Sequence, residues 1–427
     1  MARWRKRLDQ GLNIQPGEGP AVVAGLALFY LLFTGYFMLR PVRETMGVAG
    51  GVDNLQWLFT GTFIATLACL PLFGWLASTV RRRHILPWTY GFFIANLVLF
   101  AVVFARDPDG VWQARAFYIW LSVFNLLAIS LAWSVLTDLF STAQGKRLFG
   151  LLAAGASLGG LSGPILGTLL VAPLGHAGLV LLAALLLLGS VGAAGYLQRW
   201  RDRHPLPDLG EQPASRPLGG NPFAGATAVL RSSYLLGIAL FVVLLASVST
   251  FLYFEQARII SETFTDRTRQ TQVFGLIDTV VQALAIVTQV FLTGRLARRL
   301  GVGILLVAVP LVMAAGFVWL ALSPVFAVFV VVMVVRRAGE YALVRPGREM
   351  LFTVLPAEAK YKAKNFIDTV VYRGGDALSG WVKRGLDMLV EHPQLAMLTG
   401  AALALAWGLT GGWLGLRQQR LDTGRDR

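Results

Sequence analysis

The chain has 427 residues, 56% of them hydrophobic and only 14% charged, with a mean hydropathy of +0.62. That is far more apolar material than one soluble core needs, so much of it must face lipid, and an ordinary soluble domain is excluded. A formal net charge of +15 invites a nucleic-acid reading, but 26 of the 38 Lys and Arg residues fall in the termini and loops of one side and 9 on the other. This asymmetry is the positive-inside pattern, with both termini in the cytoplasm and no nucleic-acid partner.

Segments of about 20 apolar residues suffice to cross the hydrocarbon. The sequence predicts twelve, at 21–40, 55–79, 85–105, 116–140, 148–171, 179–198, 233–256, 271–294, 303–322, 325–344, 365–386 and 394–416. The basic start Arg3, Arg5, Lys6 and Arg7 leads into a first segment of full spanning length, so no cleavable signal is read. That segment closes on Arg40-Pro41-Val42-Arg43-Glu44, with Tyr36 one turn before Arg40. Cys69, the one cysteine, lies inside the second segment and excludes an intrachain disulfide. In the fifth, Gly155, Gly159, Gly163 and Gly167 line one helix face and suit close helix packing. No Gly-Lys-Ser/Thr follows and no strand precedes, so a phosphate-cradling loop is not indicated.

A polar stretch over 199–232, with Pro205, Pro207, Pro213, Pro217 and Gly219-Gly220, reads as a cytoplasmic linker between two bundles, 1–198 and 233–427. Gly74-Trp75-Leu76-Ala77 ahead of Arg81 to Arg83 is echoed 220 residues later by Gly294-Arg295-Leu296-Ala297 ahead of Arg298-Arg299. The echo suggests a duplicated six-helix unit whose halves rock to give alternating access, with the first and tenth segments in inverted-repeat positions.

Ionisable residues inside apolar segments cost about 2.5–3.5 kcal/mol each at a helix centre and therefore point to a cavity or a partner. In the eighth segment Asp278 shares a face with Gln282 and Gln289. The tenth holds Arg336, Arg337 and Glu340 and closes on a second Arg-Pro-x-Arg-Glu string, Arg345-Pro346-Gly347-Arg348-Glu349. In the eleventh, Asp368, Tyr372 and Asp376 follow at four-residue steps, and Arg373 lies three before Asp376. Arginine holds carboxylate or phosphate oxygens bidentately, so Arg40 and Arg43 at the outer mouth and Arg345 and Arg348 at the inner one are expected to bind or gate an anion, with Tyr36 beside them. The plainer alternative is unrelated helix ends whose arginines snorkel to headgroups. Glu44, Asp278, Gln282, Glu340, Glu349, Asp368, Arg373 and Asp376 are expected to couple or gate, against the alternative of ion pairs that only lock the bundle. Asp278, with no cation near it in sequence, is expected to carry a proton. His84, His176, His204 and His392 show no ligand spacing, and no Ser, His and Asp constellation has motif support. No metal, cofactor or enzymatic activity is expected.

The stretch Tyr341-x-x-x-x-Pro346-x-Arg348-Glu349-Met350, then Glu358, Lys360, Lys362 and Lys364, then Ile367-Asp368 and Arg373-Gly374-Gly375, resembles the ATP/ADP translocases of intracellular bacteria and plastids. So do Leu39-Arg40 with Arg43-Glu44, and Trp133 through Asp138 to Lys146-Arg147-Leu148-Phe149 with Gly155-Ala156. The resemblance implies an all-α membrane protein of major-facilitator type, twelve transmembrane helices in two six-helix bundles, and nucleotide exchange. It sets Arg43 where the family has a Lys, Asp138 where it has an acidic or amide residue at the substrate, and Arg348-Glu349 where it has Lys-Glu. Three signs are reversed: the family has Lys at Glu340, Asp at Arg345 and Lys at Asp376. The net change of minus two is expected to remodel the site and to weaken attraction for a tetra-anion. The expectation is a monomeric bacterial inner-membrane transporter whose partners are lipid and a small organic anion, with nucleotide the first reading. The alternatives are a proton-coupled carrier of another metabolite or amphiphile, and a non-transporting receptor or scaffold.

Overall fold

The computed structural model describes residues 14–80, 82–205, 225–389 and 393–423. The basic start, Arg81, the greater part of the linker and His392 lie outside them. Among the described residues every regular element is helical. In chain order these are α1 (Gly19–Ala49), α2 (Leu55–Thr79), α3 (Arg82–Arg106), α4 (Val111–Leu139), α5 (Thr142–Arg203), α6 (Ala226–Arg231), α7 (Ser233–Thr263), α8 (Arg267–Thr288), α9 (Gly294–Leu322), α10 (Phe326–Gly339), α11 (Arg345–Leu351), α12 (Ala357–Phe366), α13 (Tyr372–Leu389) and α14 (Pro393–Thr423). Three π-helical turns join consecutive helices: Gln289–Thr293 between α8 and α9, Glu340–Val344 between α10 and α11, and Ile367–Val371 between α12 and α13.

Eight stretches are long and apolar enough to cross a membrane, and two of them, Ala143–Arg203 and Arg267–Leu322, hold 61 and 56 residues. At 1.5 Å per residue either would be about 80–90 Å long, far beyond a hydrocarbon core of about 30 Å. Each is broken by a glycine in the left-handed region, Gly175 at φ 65° and Gly301 at φ 76°. Only glycine takes that conformation without steric cost, so the sequence itself sets where each stretch divides. The predicted segments 148–171 and 179–198 are thus the two arms of α5. Phe326–Leu351 and Ala357–Leu389 are not among the eight, because of the charges each carries along its length. A count of twelve needs both.

The first predicted end is corrected. α1 does not stop at Arg40 but runs through Pro41 to Ala49. Val42, Thr45 and Met46 beyond the proline are each at most 2% exposed, and their burial holds the backbone helical where local sequence favours a stop. The glycine stripe does what its spacing predicts. A Cβ on Gly155, Gly159 or Gly163 would lie 2.5, 2.6 and 2.7 Å from the carbonyl oxygens of Leu26, Tyr30 and Thr34 on α1, and one on Gly167 would lie 3.0 Å from that of Met38. The backbones of α1 and α5 therefore touch in register over three turns.

By its contacts the chain divides into two compact units. One takes in the described residues of Met1–Met46, Leu72–Gly219 and Asp266–Thr279; the other takes in those of Gly47–Pro71, Gly220–Thr265 and Val280–Arg427. Both units draw on both sequence halves.

In the first unit the segment before α1 is fastened by Glu18, which is 5% exposed. Its carboxylate accepts from Nη1 and Nη2 of Arg147 at 3.2 and 2.9 Å, from Nε2 of Gln144 at 2.9 Å, and from the backbone of Gln15 at 2.9 Å. Gln144 is itself the far member of a capping box with Ser141 that starts α5. Burial raises the Glu18 pKa, but the bonds from Arg147, Gln144 and Gln15 outweigh it and hold the carboxyl below its ordinary value of 4.5. A depressed carboxyl stabilises the fold above its unfolded pKa, and that stability is lost as pH falls through the folded value. Glu18→Gln should cost about 1.5–3 kcal/mol near neutrality. The gap between wild-type and variant melting temperatures should close on acidification below the normal glutamate range; a pH-independent gap would assign the effect to packing.

Candidate substrate and coupling site

In the first unit, α1 presents Tyr36, Arg40 and Arg43 at helical spacing. Arg40 meets Asp278 of α8, Nε to Oδ2 at 3.6 Å, with the aspartate 2% exposed. Asp278 has no cation near it in sequence, yet it has one in space. Arg43 reaches the carboxylate of Glu44 at 3.2 Å, and its guanidinium lies 4.2 Å from the ring centroid of Tyr118 on α4. Tyr36 stacks edge-on against Phe37 at 5.0 Å, and Arg40 lies 5.9 Å from the same ring. Each of the two arginines thus meets an acid.

Asp138 does not join it. It is exposed near the end of α4, lining a cavity of about 170 Å³ with Arg83, Gln198 and Asp202. Tyr118 and Asp138 are twenty positions apart on one straight helix, about 30 Å. Gln282, one turn beyond Asp278, is half-buried. Gln289 leaves the predicted stripe altogether and donates to the carbonyl of Tyr341 at 2.9 Å.

The second unit holds the denser cluster. Arg336, Arg337 and Glu340 are 8%, 6% and 6% exposed. Arg336 donates from Nη1 to Glu340 at 3.1 Å and to the hydroxyl of Ser249 on α7 at 2.6 Å. The other oxygen of Glu340 faces Arg345 at 3.5 Å, and Arg345 lies 4.4 Å above the Tyr341 ring. In an α-helix, residues five apart do not share a face. The π turn changes this: the Arg345 amide bonds to the Glu340 carbonyl and brings the two side chains together. The turn also frees carbonyls, and α8 with its own π turn answers them, through Gln289 to Tyr341 and Thr293 to Ala342 at 2.7 Å. Such π turns cluster at functional sites.

On α11, Arg348 pairs with Asp368 at 3.1 Å and Glu349 with Lys364 at 2.5 Å, and on α13 Arg373 pairs with Asp376 at 3.7 Å. Two of the three sign reversals, Glu340 and Arg345, therefore face each other as one inverted ion pair. A pair exchanged end for end keeps the local charge, so the expected net change of minus two falls on Asp376. Sequence reasoning missed Tyr118 and Ser249, whose roles depend on helix contacts that leave no sequence signal.

All-helical among its described residues, with lipid-length apolar helices and buried ion pairs, the chain has the build of a multi-pass membrane protein. More particularly, the profile of the Major Facilitator Superfamily matches residues 22–344, and the chain belongs to that superfamily. Its fold is similar to that of a bacterial homologue of the iron transporter ferroportin in the inward-facing state, at 16% identity over 94% of this chain and 98% of that one, with a TM-score of 0.63. It is similar also to the nucleoside transporter NupG, at 13% identity over 94% and 99% with a TM-score of 0.63. The human organic anion transporter MFSD10 gives 18% identity over 93% and 100% with a TM-score of 0.57. At such identities the likeness shows the fold alone. No curated protein sequence matches the chain.

Proposed function

We propose that the protein is a secondary transporter of an organic anion. It works by alternating access as a twelve-pass monomer of the bacterial inner membrane with both termini in the cytoplasm, and a nucleotide of the ATP/ADP type is the first cargo to test. The observation that carries this reading is the set of arginines in the second-unit cluster. Arg336, Arg337, Arg345, Arg348 and Arg373 gather there around Glu340, Asp368 and Asp376, with Arg336 and Arg337 themselves buried. Guanidinium groups gathered inside the helices suit an anionic substrate, whose carboxylate or phosphate oxygens arginine holds bidentately. The first-unit cluster suits gating, since Arg40 and Arg43 already have Asp278 and Glu44. The inverted Glu340–Arg345 pair supports a nucleotide carrier that has kept its internal network. NupG and MFSD10 carry nucleosides and organic anions on the same fold, which supports the substrate class by analogy.

A second reading has one observation in its favour. Asp376, 9% exposed, adds negative charge where the resembled family has positive, and suits proton-coupled movement of a less charged metabolite. Proteoliposomes loaded with ADP and supplied with radiolabelled ATP decide between them. Uptake that requires internal ADP is expected. No ATP uptake with saturable movement of a smaller organic anion selects the second reading, and no anion movement at all removes both.

A further inference from the structure

Lys383 is the one buried lysine among the described residues, 2% exposed, and it takes no part in the site above. Its ammonium on α13 lies 3.1 Å from Oε1 of Glu255 on α7 and contacts the carboxylate of Asp387, one turn further along α13. Glu255 is 5% exposed, and its other oxygen accepts from Nε and Nη2 of Arg258 at 3.1 and 2.5 Å. The remaining charges around the group are Glu262 on α7, and Arg384 of α13 bonded at 3.0 Å to Asp53 in the turn before α2. Gln56 of α2 packs against α13 at Gly380, with a buried side-chain oxygen that has no hydrogen-bond partner.

Of the acids that the sequence singles out for coupling, Glu44, Asp278, Glu340, Asp368 and Asp376 face arginines, and Glu349 faces Lys364, which is 32% exposed on its side chain. Arginine keeps its proton in a protein, so it cannot pass one on. A buried lysine can. We infer that Glu255, Lys383 and Asp387 form a proton-binding site, with Lys383 as its relay, through which a proton can couple to transport; the inference rests on the transport reading, in its proton-coupled form, for its purpose but not for its chemistry.

The step balances without a co-reactant. Asp387, 37% exposed, takes a proton from water. An N–H bond of the Lys383 ammonium breaks as an O–H bond forms on Glu255, and the resulting amine takes the proton held by Asp387. One proton is gained in all. Glu255 ends neutral, Lys383 charged and held by Asp387, and Arg258, 44% exposed, turns its charge to water. One turn before Lys383 on the same helix face, Ser379 bonds to Ser247 at 2.8 Å and continues the polar path along α13 and α7.

The test is infrared spectroscopy of the purified full chain without substrate, following the protonated-carboxyl stretch after a rapid drop in pH. The wild-type protein should gain a band that Glu255→Gln lacks. Lys383→Arg, which keeps the charge but cannot relay, should slow the appearance of the band about tenfold or more. Should that variant not fold, Asp387→Asn, changed at the exposed end, should slow it likewise. A band that persists in Glu255→Gln, or rates unchanged in the Lys383 or Asp387 variant, overturns the proposal. Neither outcome depends on whether the cargo is an anion.

Discussion

Arg348→Ala is expected to abolish anion uptake and to lower thermal stability together. Arg348 is 13% exposed on its side chain and holds Asp368 at 3.1 Å, so its removal leaves a mostly buried carboxylate without its cation, at up to about 3 kcal/mol. Because loss of fold would mimic loss of function, Arg348→Lys is the sharper variant. Lysine keeps the charge for Asp368 but lacks the planar fork, and the loss of one charge-assisted hydrogen bond of about 1.5–3 kcal/mol should cut uptake by about tenfold or more. The melting temperature should stay near wild type. Full uptake in a folded Arg348→Lys protein would remove Arg348 from the substrate path. Arg43→Ala calls for the same care, since Arg43 packs on Tyr118 and neutralises Glu44.

A reversal at Glu340 should have the largest effect on stability. Glu340→Lys sets a third positive charge beside Arg336 and Arg345 in a site 6% exposed, and should cost about 3–5 kcal/mol. Arg345→Asp alone leaves two acids facing each other across the π turn. The double variant Glu340→Lys with Arg345→Asp restores one positive and one negative charge and should recover much of the loss, a coupling that a double-mutant cycle on melting temperature reads directly. If the two single effects simply add, the pair does not act as one unit. Radiolabelled ATP uptake by the double variant then reports whether the direction of the pair matters to the cargo.

The fold was legible where composition and period decide it. Apolar runs gave the helices, and the spacing of Gly155 to Gly167 gave the contact with α1, because both depend on local spacing and small side chains. The helix run past Pro41 was not legible, since burial of Val42 and Met46 by distant residues outweighs the local stop. In the site, Arg373 with Asp376 and Arg336 with Glu340 could be read from helical spacing. The meeting of Arg40 with Asp278 joins residues 238 positions apart, and that of Glu340 with Arg345 needs a π turn that propensity does not signal. Lys383 lies three residues inside the predicted end of its segment at 386, and α13 runs on to Leu389, which sets it deeper in the helix.

The π turn at Glu340–Val344 also sets the phasing of everything after it. Deleting one residue there would let α10 run into α11 as an ordinary α-helix, with every apolar residue still apolar and every charge still present. Each side chain from Arg345 onward would, however, swing about 100° around the axis and shift about 1.5 Å along it. Arg345 would leave Glu340, Arg348 would leave Asp368, and Leu351, now fully buried, would turn out of the packing. The two halves of this helix are thus held in relative rotation by a single surplus backbone unit, and chain length at that point is as much a part of the ion-pair geometry as the identity of the arginines.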